Sequence, residues 1–219
     1  HSPLNAALCA KYEGEVEMKE FIIAIVTLLG GFFLGKQQER WKSKIEIERK
    51  KKKLFCLIRD LESRRVKDLQ SINSAFCSAI LEEVSLINQG QFKLLSLPTK
   101  IEGKPIEDTF NSVIEDFEIG YRDGVRALLA NIEAVNKQLV FIGEKFNSQI
   151  KLTSSDLNEI HGQIIIYSYL VHELNIKKER YIHNGMSNQE VLEVAAKAFD
   201  INYHIDDIVA EKLKHITKR

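Results

Sequence analysis

The sequence predicts an all-α protein: a single N-terminal transmembrane helix followed by an elongated antiparallel helical bundle whose long helices are coiled-coil-like. Three observations predict it. Phe21 to Gly35, FIIAIVTLLGGFFLG, is an uncharged apolar run of fifteen residues. A strongly basic tract follows at once. From Leu54 onward, apolar residues recur at intervals of three and four, the spacing that gathers one face of a helix.

The apolar side chains of the run are Phe21, Ile22, Ile23, Ile25, Val26, Leu28, Leu29, Phe32, Phe33 and Leu34. At 1.5 Å rise per residue the run spans about 22 Å, short of the ~30 Å hydrocarbon layer. Lys19 and Lys36 flank it and extend its reach, because a lysine stem lies in the apolar phase while its ammonium snorkels outward, and a bilayer thins around a short helix. A signal peptide has a core this short, but Phe33 and Leu34 stand where cleavage needs small residues. A buried core helix is as apolar, yet rarely carries so many cations on one flank.

Orientation follows from those cations. Lys11 and Lys19 precede the run, whereas Lys36, Arg40, Lys42, Lys44, Arg49, Lys50, Lys51, Lys52 and Lys53 follow it, nine against two. The asymmetry predicts an inner-membrane protein with its N-terminus outside and its C-terminal part in the cytoplasm. The same nine side chains are expected to lie against anionic lipid headgroups, each worth about 1 kcal/mol near the surface. A nucleic-acid partner is disfavoured, because Trp41 is the one stacking aromatic among these charges and no recognition motif accompanies them. Thr27, Gly31 and Gly35 recur every fourth residue and line one face, a small-residue spacing that lets two helix backbones approach and predicts self-association into a homo-oligomer.

Residues 1–17 show no helical or strand period and are expected to be an unstructured leader or upstream read-through, with translation starting at Met18. The anchor then covers 18–35, a basic stalk 36–53 and a cytoplasmic bundle 54–219. The first bundle helix is expected to end near Asn88, with Leu54, Ile58, Leu61, Leu69, Ile72, Phe76, Ile80, Val84 and Ile87 on its apolar face. Pro98, Gly103 and Pro105 punctuate a linker. One long helix, Ile106 to Phe146, is then predicted from a heptad-like seam with a shift of phase around Tyr121. Gly120 and Gly124 mark either a close helix contact or a kink there.

Thr153 and Asp156 form a capping box that opens the next helix, with Leu157, Ile160, Ile164, Tyr167, Val171 and Leu174 as its seam. Its IIIYSYLV stretch is also compatible with a buried strand, but the period on both sides favours helix. That helix is expected to stop near Gly185. Ser187 and Glu190 cap a short helix, and a last helix starts near Ile201.

Net charge is zero but segregated: residues 36–67 hold thirteen basic and five acidic side chains, residues 102–133 three basic and eight acidic. If the two helices pack antiparallel, the acidic one can lie beside the basic one; otherwise the excess cations point to lipid. Cys9, Cys56 and Cys77 lack metal-ligand spacing and are expected as free thiols. No phosphate loop, nucleophile elbow or zinc-protease motif is present, and no cofactor is expected. His204, Asp207, Glu211 and His215, at steps of three, four and four, form a weak metal alternative whose bland counterpart is a solvated face. His161 and His172 share a helix face as ordinary hydrogen-bonded bundle histidines.

Arg180-Tyr-Ile-His183 resembles the all-helical ribonucleases of the HEPN type, which place an Arg shortly before a His, here with two residues between them where that family has four to six. The resemblance implies Arg180 and His183 as catalytic residues of a membrane-tethered ribonuclease. The leading expectation is different: an anchored helical protein, not an enzyme, working through contacts with a cytoplasmic protein partner. It acts either as a scaffold or tether or as the membrane effector of a toxin or antiphage system.

Overall fold

The computed structural model describes the backbone of residues 3–84, 98–148, 150, 152–183 and 185–216, and side chains within these from residue 25 to residue 214. Among the described residues every regular element is helical. In chain order these are α1 (Pro3–Glu83), α2 (Lys104–Asn111), α3 (Ile119–Asn147), α4 (Ser154–Lys177), α5 (Asn188–Phe199) and α6 (Ile205–Ile216), with 3-10 turns at Ile114–Asp116 and Lys178–Arg180. The chain divides into two compact units, His1–Arg49 and Lys50–Arg219.

The first unit is the leading part of α1. Residues 3–17, expected to be irregular, are helical from Pro3. Pro3 suits a first turn, and Ala6, Ala7, Leu8 and Ala10 are strong helix formers. An apolar period is required only of a helix that packs a face, so its absence was a poor guide here. Among the described residues no helix is long and apolar enough to cross a membrane. The described side chains of the apolar run, Ile25–Gly35, supply about 16 Å of helix. Phe21, Ile22 and Ile23, on which the expected span also depends, have side chains outside the described residues.

The second unit is a helical bundle. Its core joins Leu54, Ile58, Ile72 and Phe76 of α1, Val125, Leu128 and Ile142 of α3, and Leu157, Ile164 and Val171 of α4, all essentially inaccessible to water. Burying one such side chain contributes roughly 1.5–3 kcal/mol.

The single helix expected over 106–146 is a correction. Every seam residue from Ile106 to Ile142 is buried, but the backbone leaves the helix after Asn111 and resumes it at Ile119. A 3-10 turn repeats every three residues, so a three-four spacing runs through it without a mark. Unwinding gathers the aromatics: Phe117 stands 4.5 Å from Tyr121, 6.1 Å from Phe55 and 6.4 Å from Phe110 between ring centroids. The chain's own side chains fill this seam, which leaves no continuous stripe there for coiled-coil pairing with a second copy.

Gly120 and Gly124 mark a contact. A Cβ on Gly124 would lie 2.3 Å from Tyr181 Cε1, and one on Gly120 3.1 Å from Ile182 Cα. The backbone confirms the approach, with His183 N donating to Gly120 O at 3.3 Å.

α4 is helical and enclosed at its middle: Ile164, Ile165, Ile166 and Tyr167, one full turn, are all buried. β-branched residues tolerate this because their packing outweighs a small intrinsic preference for strand. Its capping box forms as predicted, with Thr153 Oγ1 accepting from Asp156 N at 3.2 Å and Asp156 Oδ2 from Thr153 N at 3.0 Å. Ser154 N and Oγ both donate to the Glu83 carboxylate, tying this end to the end of α1.

α4 stops at Lys177, earlier than Gly185, because Lys178 turns to φ 49 and a 3-10 turn follows. α5 carries the Ser187–Glu190 capping box, and Asp200 ends it in the left-handed region at φ 54. α6 accordingly begins at Ile205, not Ile201.

Candidate functional site

In the first unit, Ile25, Val26, Leu28, Leu29, Phe32, Phe33 and Leu34 are all exposed, Leu28 at 75%. Consecutive helix positions point about 100° apart, so these seven cover roughly two-thirds of the circumference and leave the remaining sector to small residues. Thr27, Gly31 and Gly35 are exposed too, and a Cβ on either glycine meets nothing within 4 Å. Lys36 Nζ sits 5.7 Å from the Phe32 ring centroid, its stem folded back over the apolar surface. Arg40, Lys42, Lys44 and Arg49 follow on the exposed surface of the same helix, with Trp41 67% exposed among them.

The basic tract continues into the second unit and changes character there. Lys52 and Lys53 are exposed and Lys50 is half-buried. Lys51 corrects the lipid expectation: it is buried, with its ammonium 3.4 Å from Glu179 Oε1 and 4.8 Å from the Phe117 ring centroid. A lysine neutralised by a carboxylate and covering an aromatic face belongs to the bundle.

The principal polar cluster of the second unit lies where α1, α4 and α5 meet. Arg65 grips Glu62 with two hydrogen bonds, Nε to Oε2 at 2.7 Å and Nη2 to Oε1 at 2.5 Å. His172 Nδ1 lies 3.0 Å from both Glu62 Oε1 and Arg65 Nη2. Phe199 closes the cluster, 5.1 Å from the guanidinium carbon and 6.0 Å from the imidazole. Burial alone would raise the Glu62 carboxyl, but hydrogen bonds and charge from Arg65 and His172 outweigh it and hold it below the usual glutamate value.

One turn on, Arg64 Nε donates to Asp68 Oδ2 at 2.9 Å and its two other nitrogens donate to the carbonyls of Thr99 and Lys100, pinning that strap to α1. Burial nevertheless pushes the Asp68 carboxyl up, more than Arg64 pulls it down. Beside these charges the Tyr167 hydroxyl is buried with no partner among the described residues. Glu62, Arg65 and His172 link α1 to α4, and Phe199 joins α5 to them.

The weaker site expectations do not assemble. Arg180 is exposed, and His183 Nδ1 meets Tyr181 Oη at 3.2 Å instead of the arginine. His204 precedes α6 and its ring packs on Tyr203 at 4.1 Å, while Glu211 accepts from Asn202 at 2.8 Å. The side chain of His215 lies outside the described residues. Among the described residues no three His, Cys, Asp or Glu side chains are grouped to hold a metal. Cys56 and Cys77 are free thiols, and Cys9 has a side chain outside the described residues.

The Glu62–Arg65–His172 cluster escaped sequence reasoning. Glu62 and Arg65 at a spacing of three were visible as a helix pair, but nothing local connects them to a histidine 110 residues away. No protein-family model, curated protein or solved structure matches this chain.

Proposed function

We propose that the protein is a single-pass inner-membrane protein, N-terminus outside, whose cytoplasmic helical bundle acts through protein–protein contacts. One observation carries this reading: an apolar helix surface open on every side, followed directly by exposed cations. Such a surface has no stable home in water and is relieved by lipid or by partner helices. The cations Lys36, Arg40, Lys42, Lys44 and Arg49 match the anionic inner leaflet. The open Thr27–Gly31–Gly35 face supports a homo-oligomer formed between anchors.

The decisive experiment is protease treatment of a C-terminally tagged protein in carbonate-washed membranes and in spheroplasts. A pelleted protein whose tag is digested only after lysis is the expected result. Release by carbonate overturns the anchor, and digestion in intact spheroplasts overturns the orientation. Within this reading, growth inhibition that disappears on Gly31→Leu identifies a membrane effector. A harmless protein that co-purifies one cytoplasmic partner identifies a tether.

A further inference from the structure

Where α1, α4 and α5 meet, three polar atoms close a triangle. Arg65 Nη2 stands 2.5 Å from Glu62 Oε1, and His172 Nδ1 stands 3.0 Å from each of them. A guanidinium nitrogen only donates and a carboxylate oxygen only accepts, so one ring nitrogen cannot serve both. Bare, Nδ1 accepts from Arg65; protonated, it donates to Glu62. The approach of Nδ1 to Nη2 decides which state this arrangement holds. A proton on Nδ1 would set two donors against each other, and in the imidazolium two like charges at contact distance. Nδ1 is therefore the bare nitrogen of a neutral ring whose proton sits on Nε2.

The His172 side chain is 34% exposed, so protons from solvent reach it. Imidazole is the side chain that ordinarily changes charge between pH 5 and 8. The groups around it are few among the described residues. From α1, Glu62 and Arg65 face the ring, and the next charges along that helix, Arg64 and Asp68, are bonded to each other. From α5 the uncharged Phe199 faces it, with Lys197 and Asp200 both exposed. On α4 itself, Glu173 is paired with Lys177. Burial raises the Glu62 carboxyl, but Arg65 and His172 bring it below the usual glutamate value, so Glu62 keeps its charge while the imidazole titrates.

We propose that His172 is a proton-operated latch on α5: on taking up a proton it leaves Arg65 for Glu62, and the repelled guanidinium withdraws from Phe199. The guanidinium is one rigid plane with its carbon 5.1 Å from the Phe199 ring centroid, so displacing Nη2 carries the whole group. Phe199 is the last residue of α5 and loses the cation that covers it. The link between α1 and α4 survives, because a charge-assisted bond from His172 to Glu62 replaces the one from Arg65 to His172. Acid thus loosens one helix while the bundle stays closed. The latch does not depend on the membrane reading, since every group named belongs to the second unit.

The test uses the full chain in detergent and two measurements. Nitrogen NMR of the protein labelled at histidine, with the His172 signals assigned by their loss in His172→Gln, reads the tautomer at about pH 8, where an ordinary imidazole is neutral. The Nε2–H tautomer is expected; the Nδ1–H tautomer overturns the proposal. Amide hydrogen exchange is then compared at about pH 8 and about pH 5.5, corrected for the pH dependence of unstructured amides. Amides of Ala195–Phe199 should lose protection about three- to tenfold on acidification, the worth of one cation–π contact, while those of α3 lose less. In His172→Gln, which carries no titrating ring at this position but retains His161, the extra loss in α5 should vanish. Equal losses in α3 and α5 of the parent overturn the latch, and that comparison needs no variant. So does an α5 loss that persists in His172→Gln.

Discussion

Two stretches of this chain are almost equally apolar and end in opposite surroundings. Every large side chain of the run Ile25–Leu34 in α1 is exposed, while Ile164–Val171 in α4 is enclosed by its own fold. Composition does not separate them. What separates them is what lies nearby in sequence: α4 sits among segments that repeat its three-four period, whereas the α1 run is followed by lysine and arginine. An apolar helix with amphipathic neighbours becomes a core. The one flanked by charge is left open within its own unit, and lipid is the cover proposed for it.

The sharpest way to break this comparison is to place the same charge in both stretches. Leu28→Lys with Leu29→Lys costs about 2.5–3.5 kcal/mol of membrane insertion per lysine, so the doubly substituted protein should leave the carbonate pellet while its bundle still unfolds cooperatively. Ile164→Lys with Ile165→Lys should instead abolish cooperative unfolding and leave membrane association intact. Circular dichroism melts alongside membrane fractionation read both outcomes.

A smaller effect is expected from the polar cluster. Arg65→Ala strands Glu62 and removes the cation from Phe199, a loss of about 2–3 kcal/mol in urea unfolding of the detergent-solubilised protein. A similar or slightly smaller penalty, about 1–3 kcal/mol, is expected for Gly124→Ala, whose new methyl overlaps the Tyr181 ring. Tyr181→Leu in the same background should recover part of it by clearing the space.

The gentlest probe is pH. His161 has its pKa lowered from 6.5 to about 4 in the folded protein. The unfolded chain therefore takes up the proton first, and stability, complete above pH 6.5, falls on acidification toward pH 4 by up to about 1.4 kcal/mol per unit. Urea midpoints at pH 7 and pH 5 should show this slope, and His161→Gln should flatten it.

The period of three and four located the core well because burial is a property of faces: Ile106 to Ile142 lie inside as their spacing requires. The same signal missed the break before Ile119, since a 3-10 turn preserves it, and placed the end of α4 too late, since a lysine takes the turn expected of a glycine. Both capping boxes were legible because each is contained in four residues. Glu62 with His172, Lys51 with Glu179, and Asn73 with His161 were illegible for the opposite reason. They are meetings of distant segments, and nothing in the sequence around either partner names the other.

The account's central claim, that the apolar run of α1 is covered by lipid, is tested most directly by the chain's single tryptophan. Trp41 lies six residues beyond Gly35 on the same helix, about 9 Å along its axis, which puts it at the headgroup level if the run is embedded. Its fluorescence should be measured in vesicles of lipids brominated at shallow or deep acyl positions. Strong quenching by shallow bromines and weak quenching by deep ones is the predicted result; fluorescence indifferent to both would contradict it.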